Sequence, residues 1–321
     1  MVVVTGEPPA RWRAWLEEHP AVFSLAGLLV LALAMTLVSD RFFTWENLGN
    51  IGRQVSINAI IATGMTLVII TGGVDLSVGA VMTLAMTFGA GAMLAGVPVP
   101  LAVALALLTG VVCGAANGVL IAYARLPAII VTLAMMEIPR GIALLYTGGY
   151  PLSNLPAAFG PLGRGEILGV HVPTLVMLAV VVAGHLFLTR VVAGRAFYAL
   201  GGNEEAARLS GLPVNRYKLL AYTLSGFTAA LAGVVLASRL MSGQPNAGIG
   251  FELDAIAAVV LGGTSIAGGR GSIIGTLIGA VTLGLLNNGL NLMSVSPYTQ
   301  KILKGGVILV AIYLGSLKRE R

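Results

Sequence analysis

The chain has 321 residues, of which 57% are hydrophobic and only 10% are charged, and its mean hydropathy is +0.92. Soluble domains carry roughly 25% charged residues, so this composition excludes an ordinary soluble protein and predicts an integral membrane protein. The formal net charge of +6 does not indicate nucleic-acid binding. The basic residues stand singly in short connections between apolar runs, where the orientation signals of membrane proteins lie.

The N-terminal residues 1–20 carry Arg11 and Arg13 and are predicted to be cytoplasmic. The apolar run that follows, 21–38, is long enough to span a bilayer and has no clear small-residue cleavage site. We interpret it as an uncleaved first span and not as a signal peptide. The sole cysteine, Cys113, lies in an apolar run, so it indicates a packing residue and no disulfide, redox or metal motif.

Apolar runs of near-spanning length, roughly 20 residues each, recur about ten times along the chain. An even number of spans places both termini on one side, and most Arg and Lys residues then share that side, which the positive-inside bias assigns to the cytoplasm. The expected fold is one all-α polytopic membrane domain over residues 1–321, with about ten transmembrane helices. The runs are 21–38, 54–71, 77–95, 99–122, 128–147, 172–189, 214–237, 253–268, 272–292 and 301–317.

The longest polar connection, residues 148–171, is rich in glycine and proline and has no helical period. This topology predicts that it is extracytoplasmic. It is either a structured loop or cap over a pore, or a plain connector; long loops are often functional but need not be.

Two spans are interrupted at related glycine pairs, Gly72-Gly73 and Gly268-Gly269. A constant offset of 196 residues superposes these pairs without a gap and also aligns apolar residues before them. We interpret the match as an internal structural repeat, with chance matching in a Gly/Ala-rich chain as the alternative. Glycine-interrupted spans in corresponding halves indicate a transport pathway, because non-helical backbone at membrane depth needs protein or water beside it.

Glycines also recur at four-residue spacing in two spans. Such a stripe lies on one helix face and lets another backbone approach closely, in the same chain or in a second copy. The two sets are Gly110, Gly114 and Gly118, and Gly271, Gly275 and Gly279.

Catalytic chemistry is not indicated by any motif. The chain lacks the G-x-x-x-x-G-K-[ST] nucleotide loop, so it is not by itself an ATPase of that class. Its three histidines, His19, His171 and His185, are scattered and offer no metal spacing. No nucleophile or paired-carboxylate arrangement can be proposed either. We therefore predict a non-catalytic protein that binds no cofactor and no metal.

Asp75 is the most informative polar residue near a span. A charge at mid-membrane costs roughly 2.5–3.5 kcal/mol on insertion scales and usually faces a cavity or a partner. Alternatively, Asp75 sits at a span end as the N-cap of the next helix. Both interpretations hold together if a half-helix begins beside a cavity.

Several asparagines supply uncharged hydrogen-bonding groups within spans. As interhelical contacts each contributes about 0.6 kcal/mol on average; together they favour passage of a neutral polar solute over a proton relay. Glu137 and Arg140 are spaced as a structural ion pair. The asparagines are Asn58, Asn117, Asn287, Asn288 and Asn291.

The stretch 199–212 is the one conspicuously charged, helix-forming segment of an otherwise apolar chain, and the topology predicts that it is cytoplasmic. Asn203 is a plausible N-cap, Glu204 and Glu205 fall in the first turn, and Gly211 ends the helix. A helix this short cannot span and is marginal in water, so it needs a surface to lie against.

Three segments together resemble one family: TGGVDLSVG at 71–79, ALGGNEEAARLSG at 199–211 and IAAVVLGGTSIAGGRG at 256–271. They resemble permease subunits of ATP-binding-cassette importers for monosaccharides, the ribose permease family, which overlaps with branched-chain amino-acid permeases. The resemblance covers about positions 21–317. It implies a homodimer or heterodimer of permeases, of which we expect a homodimer, in the lipids of the bacterial inner membrane, and two ATPase partners that hold ATP and Mg²⁺. It also implies an extracytoplasmic sugar-binding protein.

The resemblance also implies roles for particular residues. The cytoplasmic helix would be the coupling helix that docks into a groove of the ATPase, and Asp75 and Ser77 match a family segment near the translocation path. The alternative function is an ion-coupled secondary transporter of a small neutral polar solute. The docking residues would be Asn203, Glu204, Glu205, Ala206, Ala207, Arg208 and Gly211, and the pathway candidates are Asn58, Thr71, Asp75, Ser77, Asn117, Thr264, Asn287 and Asn288.

Overall fold

The computed structural model describes residues 20–317, so the predictions for residues 1–19 lie outside the described residues. Within the described part the chain is almost entirely helical, with one short hairpin. The α-helices are α1 Pro20–Val38, α2 Trp45–Ile70, α3 Val78–Leu94, α4 Val99–Ala122, α5 Ala128–Thr147, α6 Pro161–Arg164, α7 Val172–Arg190, α8 Val192–Gly202, α9 Glu204–Leu209, α10 Val214–Leu240, α11 Phe251–Leu261, α12 Ile273–Leu292 and α13 Pro297–Leu317.

Helices α2 and α10 form the centre of the bundle. Every residue of α2 from Ala59 to Ile70 is buried, and α10 packs against α2, α3 and α4. The glycine stripe of α4 makes the last contact possible, because Cβ atoms at Gly110 and Gly114 would overlap backbone oxygens of α10. The close neighbour predicted for this stripe is therefore a helix of the same chain.

Six of the described helices are long and apolar enough to cross a membrane, namely α2, α4, α5, α7, α10 and α12. The expected number of ten transmembrane helices is not confirmed. The run 253–268 does not form a spanning helix: α11 has 11 residues, about 16 Å at 1.5 Å per residue. Residues 262–271 then form turns, and α3 is also short at 17 residues.

The connection 148–171 has a defined structure and is not a plain connector. It contains a 3₁₀ turn at Ala157–Phe159, helix α6 and the antiparallel hairpin of β1, Glu166–Ile167, and β2, Val170–His171. It packs on the end of α10, where a Cβ at Gly163 would overlap the backbone of Arg239. Its extracytoplasmic location stays a prediction.

Candidate functional site

The short charged helix is α9, Glu204–Leu209, which has only 6 residues because residues 199–202 of the segment 199–212 complete α8. The predicted N-cap is confirmed, since Asn203 Oδ1 accepts a hydrogen bond from the Ala206 N–H at 2.9 Å. Gly211 ends the helix with a φ of +82°. The N–H groups of Gly211 and Leu212 donate to the carbonyls of Arg208 and Ala207 at 3.0 and 3.1 Å, which is a Schellman motif.

One face of α9 is fixed to the rest of the molecule. Ala207 is buried against Leu200 and Val214, so its side chain seats the helix on its neighbours. Glu204 accepts hydrogen bonds from Lys218 Nζ at 2.6 Å and from an Arg208 guanidinium nitrogen at 3.2 Å. Partial burial raises the pKa of the Glu204 carboxyl, but these two cations outweigh it and hold the pKa below its ordinary value.

The opposite face of α9 is exposed. Glu205, Ala206 and Arg208 are exposed, and beside them Leu209 is 83% exposed. Leu209 is not among the docking residues predicted from the sequence. Its helical position indicates exposure, because Leu209 lies two residues, roughly 200° around the helix, from the buried Ala207. The face therefore combines charged groups with one protruding apolar side chain.

Immediately before α9, the chain touches both glycine interruptions at once; we call this cluster of Gly72, Gly201, Gly268 and Gly269 the glycine junction. The Gly269 N–H donates to the Ile70 carbonyl at 2.9 Å. A Cβ at Gly268 would lie 2.9 Å from the Gly72 Cα, and one at Gly201 would overlap the Ile70 oxygen. Only glycines allow backbones this close, and the end of α8, immediately before α9, thereby contacts both interrupted spans.

The glycine junction also bears on the predicted repeat. Gly72 and Gly268 are related by the offset of 196 residues, have φ values of +83° and +86°, and contact one another. The first glycine of each pair thus has the same backbone conformation in both halves, which favours the internal repeat at this position. The second glycines differ, since Gly269 has a φ of +71° and Gly73 is not among the positive-φ glycines.

A cavity of about 560 Å³ opens between α9, the glycine junction and the α4–α5 turn. Its lining mixes backbone of the junction with hydroxyl, amide and charged groups. Arg125, Arg208 and Lys218 supply positive charge, against the single carboxylate of Glu204. Thr71 is the one predicted pathway residue among the lining residues; its hydroxyl donates to the Val68 carbonyl at 2.7 Å.

Asp75 lies deeper and is 1% exposed. Its Oδ1 accepts hydrogen bonds from the Ser77 N–H at 3.0 Å and the Ser77 hydroxyl at 2.6 Å. Its Oδ2 accepts from the Ser225 hydroxyl of α10 at 2.8 Å. Ser77, not Asp75, occupies the N-cap position of α3. Asp75 as N-cap is therefore wrong, although its carboxylate does bond to the chain just before the helix.

Asn117 extends this network. Its Nδ2 donates to the Ser77 hydroxyl at 2.9 Å, while its buried Oδ1 has no hydrogen-bond partner within residues 20–317. Three helices, α3, α4 and α10, are thus tied to the segment that leaves the first glycine break. We call Asp75, Ser77, Asn117 and Ser225 the Asp75 network.

The other predicted pathway residues lie elsewhere. Asn288 forms a reciprocal amide pair with Asn47 at 2.9 and 2.8 Å, and Asn58 donates a long 3.5 Å hydrogen bond to the Asp254 carbonyl. Buried oxygens of Asn58, Asn287 and Thr264 have no partner in the described part of the chain. The structure therefore does not gather the eight candidates into one site, and their role in translocation stays a prediction.

No group of three His, Cys, Asp or Glu side chains within residues 20–317 is arranged to hold a metal ion. Together, the six apolar helices of spanning length, the buried polar networks and the interrupted spans indicate a polytopic membrane protein. The features are those of a transport protein.

Comparison with known proteins identifies the family. Residues 47–312 match the model described as branched-chain amino acid transport system, permease component, and the chain belongs to this family. It is 50% identical to the ribose import permease protein RbsC of Escherichia coli strain K12, over 96% of each chain. It is 48% identical to RbsC of Bacillus subtilis strain 168, over 91% of each, and 34% identical to the xylose transport system permease protein XylH of E. coli K12, over 92% of each. The predicted resemblance to permeases is confirmed.

Proposed function

We propose that this chain is the permease subunit of an ATP-binding-cassette importer for ribose or a similar monosaccharide in the bacterial inner membrane. Two copies form the pathway, separate ATPase subunits bind ATP and Mg²⁺ at the cytoplasmic face, and an extracytoplasmic binding protein delivers the sugar. The proposal is supported by the similarity to ribose import permeases, which share 48–50% identity over nearly the whole chain. Amides and hydroxyls in the spans, with few charges, suit a neutral polar solute.

The observation that carries the mechanism is that Gly201, near the end of α8 and three residues before α9 begins, is part of the glycine junction. The exposed face of α9 docks on the ATPase, and closure of the ATPase dimer displaces α9. Because Gly201 touches Ile70 and Gly269, this displacement reaches the ends of both interrupted spans without an intervening flexible link. The interrupted spans then change position, and the pathway opens to alternate sides of the membrane.

The decisive experiment replaces the exposed charges of α9. The double variant Glu205→Ala/Arg208→Ala should lose ATPase stimulation and sugar uptake, yet keep most of the thermal stability of the wild-type permease, because neither side chain is buried and the shorter ion pair of Glu204 with Lys218 remains. A matched control, Arg41→Ala/Glu46→Ala, removes one exposed base and one exposed acid at the far end of α2. It should keep the ATPase bound in co-purification. Normal coupled transport by the α9 variant would contradict docking through this face.

The alternative, an ion-coupled secondary transporter, predicts uptake by the lone chain. Our proposal predicts the opposite: reconstituted without an ATPase, the protein should show no sugar uptake under an H⁺ or Na⁺ gradient. Gradient-driven uptake by the lone chain would overturn the proposed function.

A further inference from the structure

The segment 242–250, between α10 and α11, is irregular backbone inside the bundle. It contains turns and a single isolated bridge, yet Ser242, Gly243, Pro245 and Gly248 are all buried. In the sequence, these residues fall in the connection between the apolar runs 214–237 and 253–268. The structure instead makes them the first half of an interrupted span, whose second half is α11.

Contacts with α3 show how deep this segment reaches. Gly243 lies against Ala90, and Gly248 lies against Gly79, positions separated by about 16 Å along the helix at 1.5 Å per residue. The Gly248 N–H donates to the Thr83 hydroxyl at 3.0 Å. The segment therefore descends along α3 through about half of a hydrocarbon core of roughly 30 Å.

One side of the segment is not covered by the described chain. Ile249 is 60% exposed and Leu253, in the first turn of α11, is 57% exposed; Asn246 is also exposed. Irregular backbone at this depth is not stable against lipid tails, which cannot satisfy its N–H and C=O groups. This side must therefore face water or protein.

A second, independent feature lies on the neighbouring helix α5. Glu137 stands at the middle of this apolar helix and is 68% exposed, 3.6 Å from Arg140. An ionisable pair at mid-span faces a water-filled cavity or a partner far more often than lipid. The connection that follows α5 pairs with the irregular segment, because Leu152 and Gly243 exchange two backbone hydrogen bonds of 2.9 Å. The irregular segment and the helix α5 that carries the polar pair thus both lie beside α3.

We propose that the segment 242–250 and the middle of α5 form the wall of a water-filled translocation path, in which the Asn246 amide contacts the neutral polar solute. The identity of the solute rests on the proposed function; the presence of water does not. Buried, unpartnered acceptors beside the segment fit this assignment, since Asn58 Oδ1 and Glu252 Oε2 lack partners in the described residues and water would satisfy them.

Cysteine accessibility tests the proposal. In a Cys113→Ala background, Ile249→Cys and Asn246→Cys are reacted with a charged, membrane-impermeant thiol reagent, in the assembled complex in lipid nanodiscs. The matched control is Val112→Cys on α4, an exposed β-branched position in an apolar face, 58% exposed against 60% for Ile249. Leu168→Cys, at the fully exposed turn of the hairpin, gives the labelling rate of a fully accessible thiol for reference.

Both segment variants should react at least about tenfold faster than Val112→Cys, because an apolar surrounding suppresses the reactive thiolate. Excess transported sugar should slow the reaction of Asn246→Cys. Rates as slow as that of Val112→Cys at both positions would overturn the proposal. The proposal would also be overturned if Ile249→Cys reacted slowly and formed oxidative cross-links between two copies. That result would assign the surface to an interface between permeases. Labelling needs neither ATP nor transport, so a failure of ATP-driven uptake would refute the proposed function and leave this result standing.

Discussion

At the scale of single residues, the buried carboxylate of Asp75 illustrates how a charge is tolerated inside the bundle. No cation forms an ion pair with it within residues 20–317, yet it accepts three hydrogen bonds from Ser77 and Ser225. Hydrogen bonds to a charged group contribute more than neutral ones. The arrangement fixes the start of α3 against α10, and this suggests a structural role for a residue that the sequence places near the pathway.

Substitution of Asp75 distinguishes a structural role from a role in translocation. Asp75→Ala should lower the stability by about 1–3 kcal/mol, because it leaves buried donors without an acceptor, whereas Asp75→Asn keeps an acceptor oxygen and should retain most stability and uptake. The measurements are apparent melting midpoint in detergent and sugar uptake in vesicles. An Asp75→Asn protein that melts normally but no longer transports would show that the charge acts in translocation.

Glu204 gives a pH dependence whose sign follows from its lowered pKa. Its ion pairs stabilise α9 fully above the ordinary carboxyl value of 4.5 and are lost as the pH falls through the lower folded pKa. A spin label at Glu205→Cys in a Cys113→Ala permease should therefore gain mobility on acidification through this range.

The control for this experiment is Lys218→Met, which removes the shorter ion pair at 2.6 Å and should give a more mobile α9 already at neutral pH. Identical mobility in the two proteins at all pH values would show that the ion pair does not hold the helix.

At the scale of helices and turns, the glycine junction makes a rigid connection out of segments that would otherwise be loops. The end of α8, the end of α2 and the turn before α12 meet there through backbone contacts. Side-chain packing between helices adapts to small shifts, but a contact between backbones leaves little room for adjustment. A small displacement of α9 is therefore transmitted and not absorbed.

Two adjacent glycines allow a controlled test of this connection. Gly201→Ala would place a Cβ onto the Ile70 oxygen and 2.5 Å from the Gly269 nitrogen, whereas Gly202→Ala meets nothing within 4 Å. We expect Gly201→Ala to cost about 1–3 kcal/mol of overpacking and to reduce sugar uptake per ATP hydrolysed, with Gly202→Ala unchanged in both. Equal coupling ratios in the two variants would rule out transmission through this contact.

At the scale of the whole molecule, local signals were readable from the sequence and long-range contacts were not. The N-cap Asn203 and the stop at Gly211 depend on neighbouring residues and were predicted correctly. The Ser225 partner of Asp75 is 150 positions away, and the Lys218 partner of Glu204 lies across a turn on another helix. Neither spacing produces a periodic pattern, so no rule applied to one sequence would have found these pairs.

The number of spans is not confirmed for a related reason. Apolar length identifies a segment that suits the membrane, but it does not distinguish a full helix from a half helix preceded by irregular backbone. The glycine, proline and asparagine residues at 242–250 have the composition of an external turn. Only their contacts with Gly79 and Ala90 place them within the bundle.

The interrupted span at 242–261 also constrains how the protein is made. A helix of 11 residues with irregular backbone before it cannot partition into lipid as an independent unit, because its unsatisfied peptide groups require neighbours. The irregular segment has α3 as its neighbour, and α11 has mainly α2 and α12. We therefore expect the interrupted span to enter the membrane only after these neighbours, including α12, which is synthesised later, are in place.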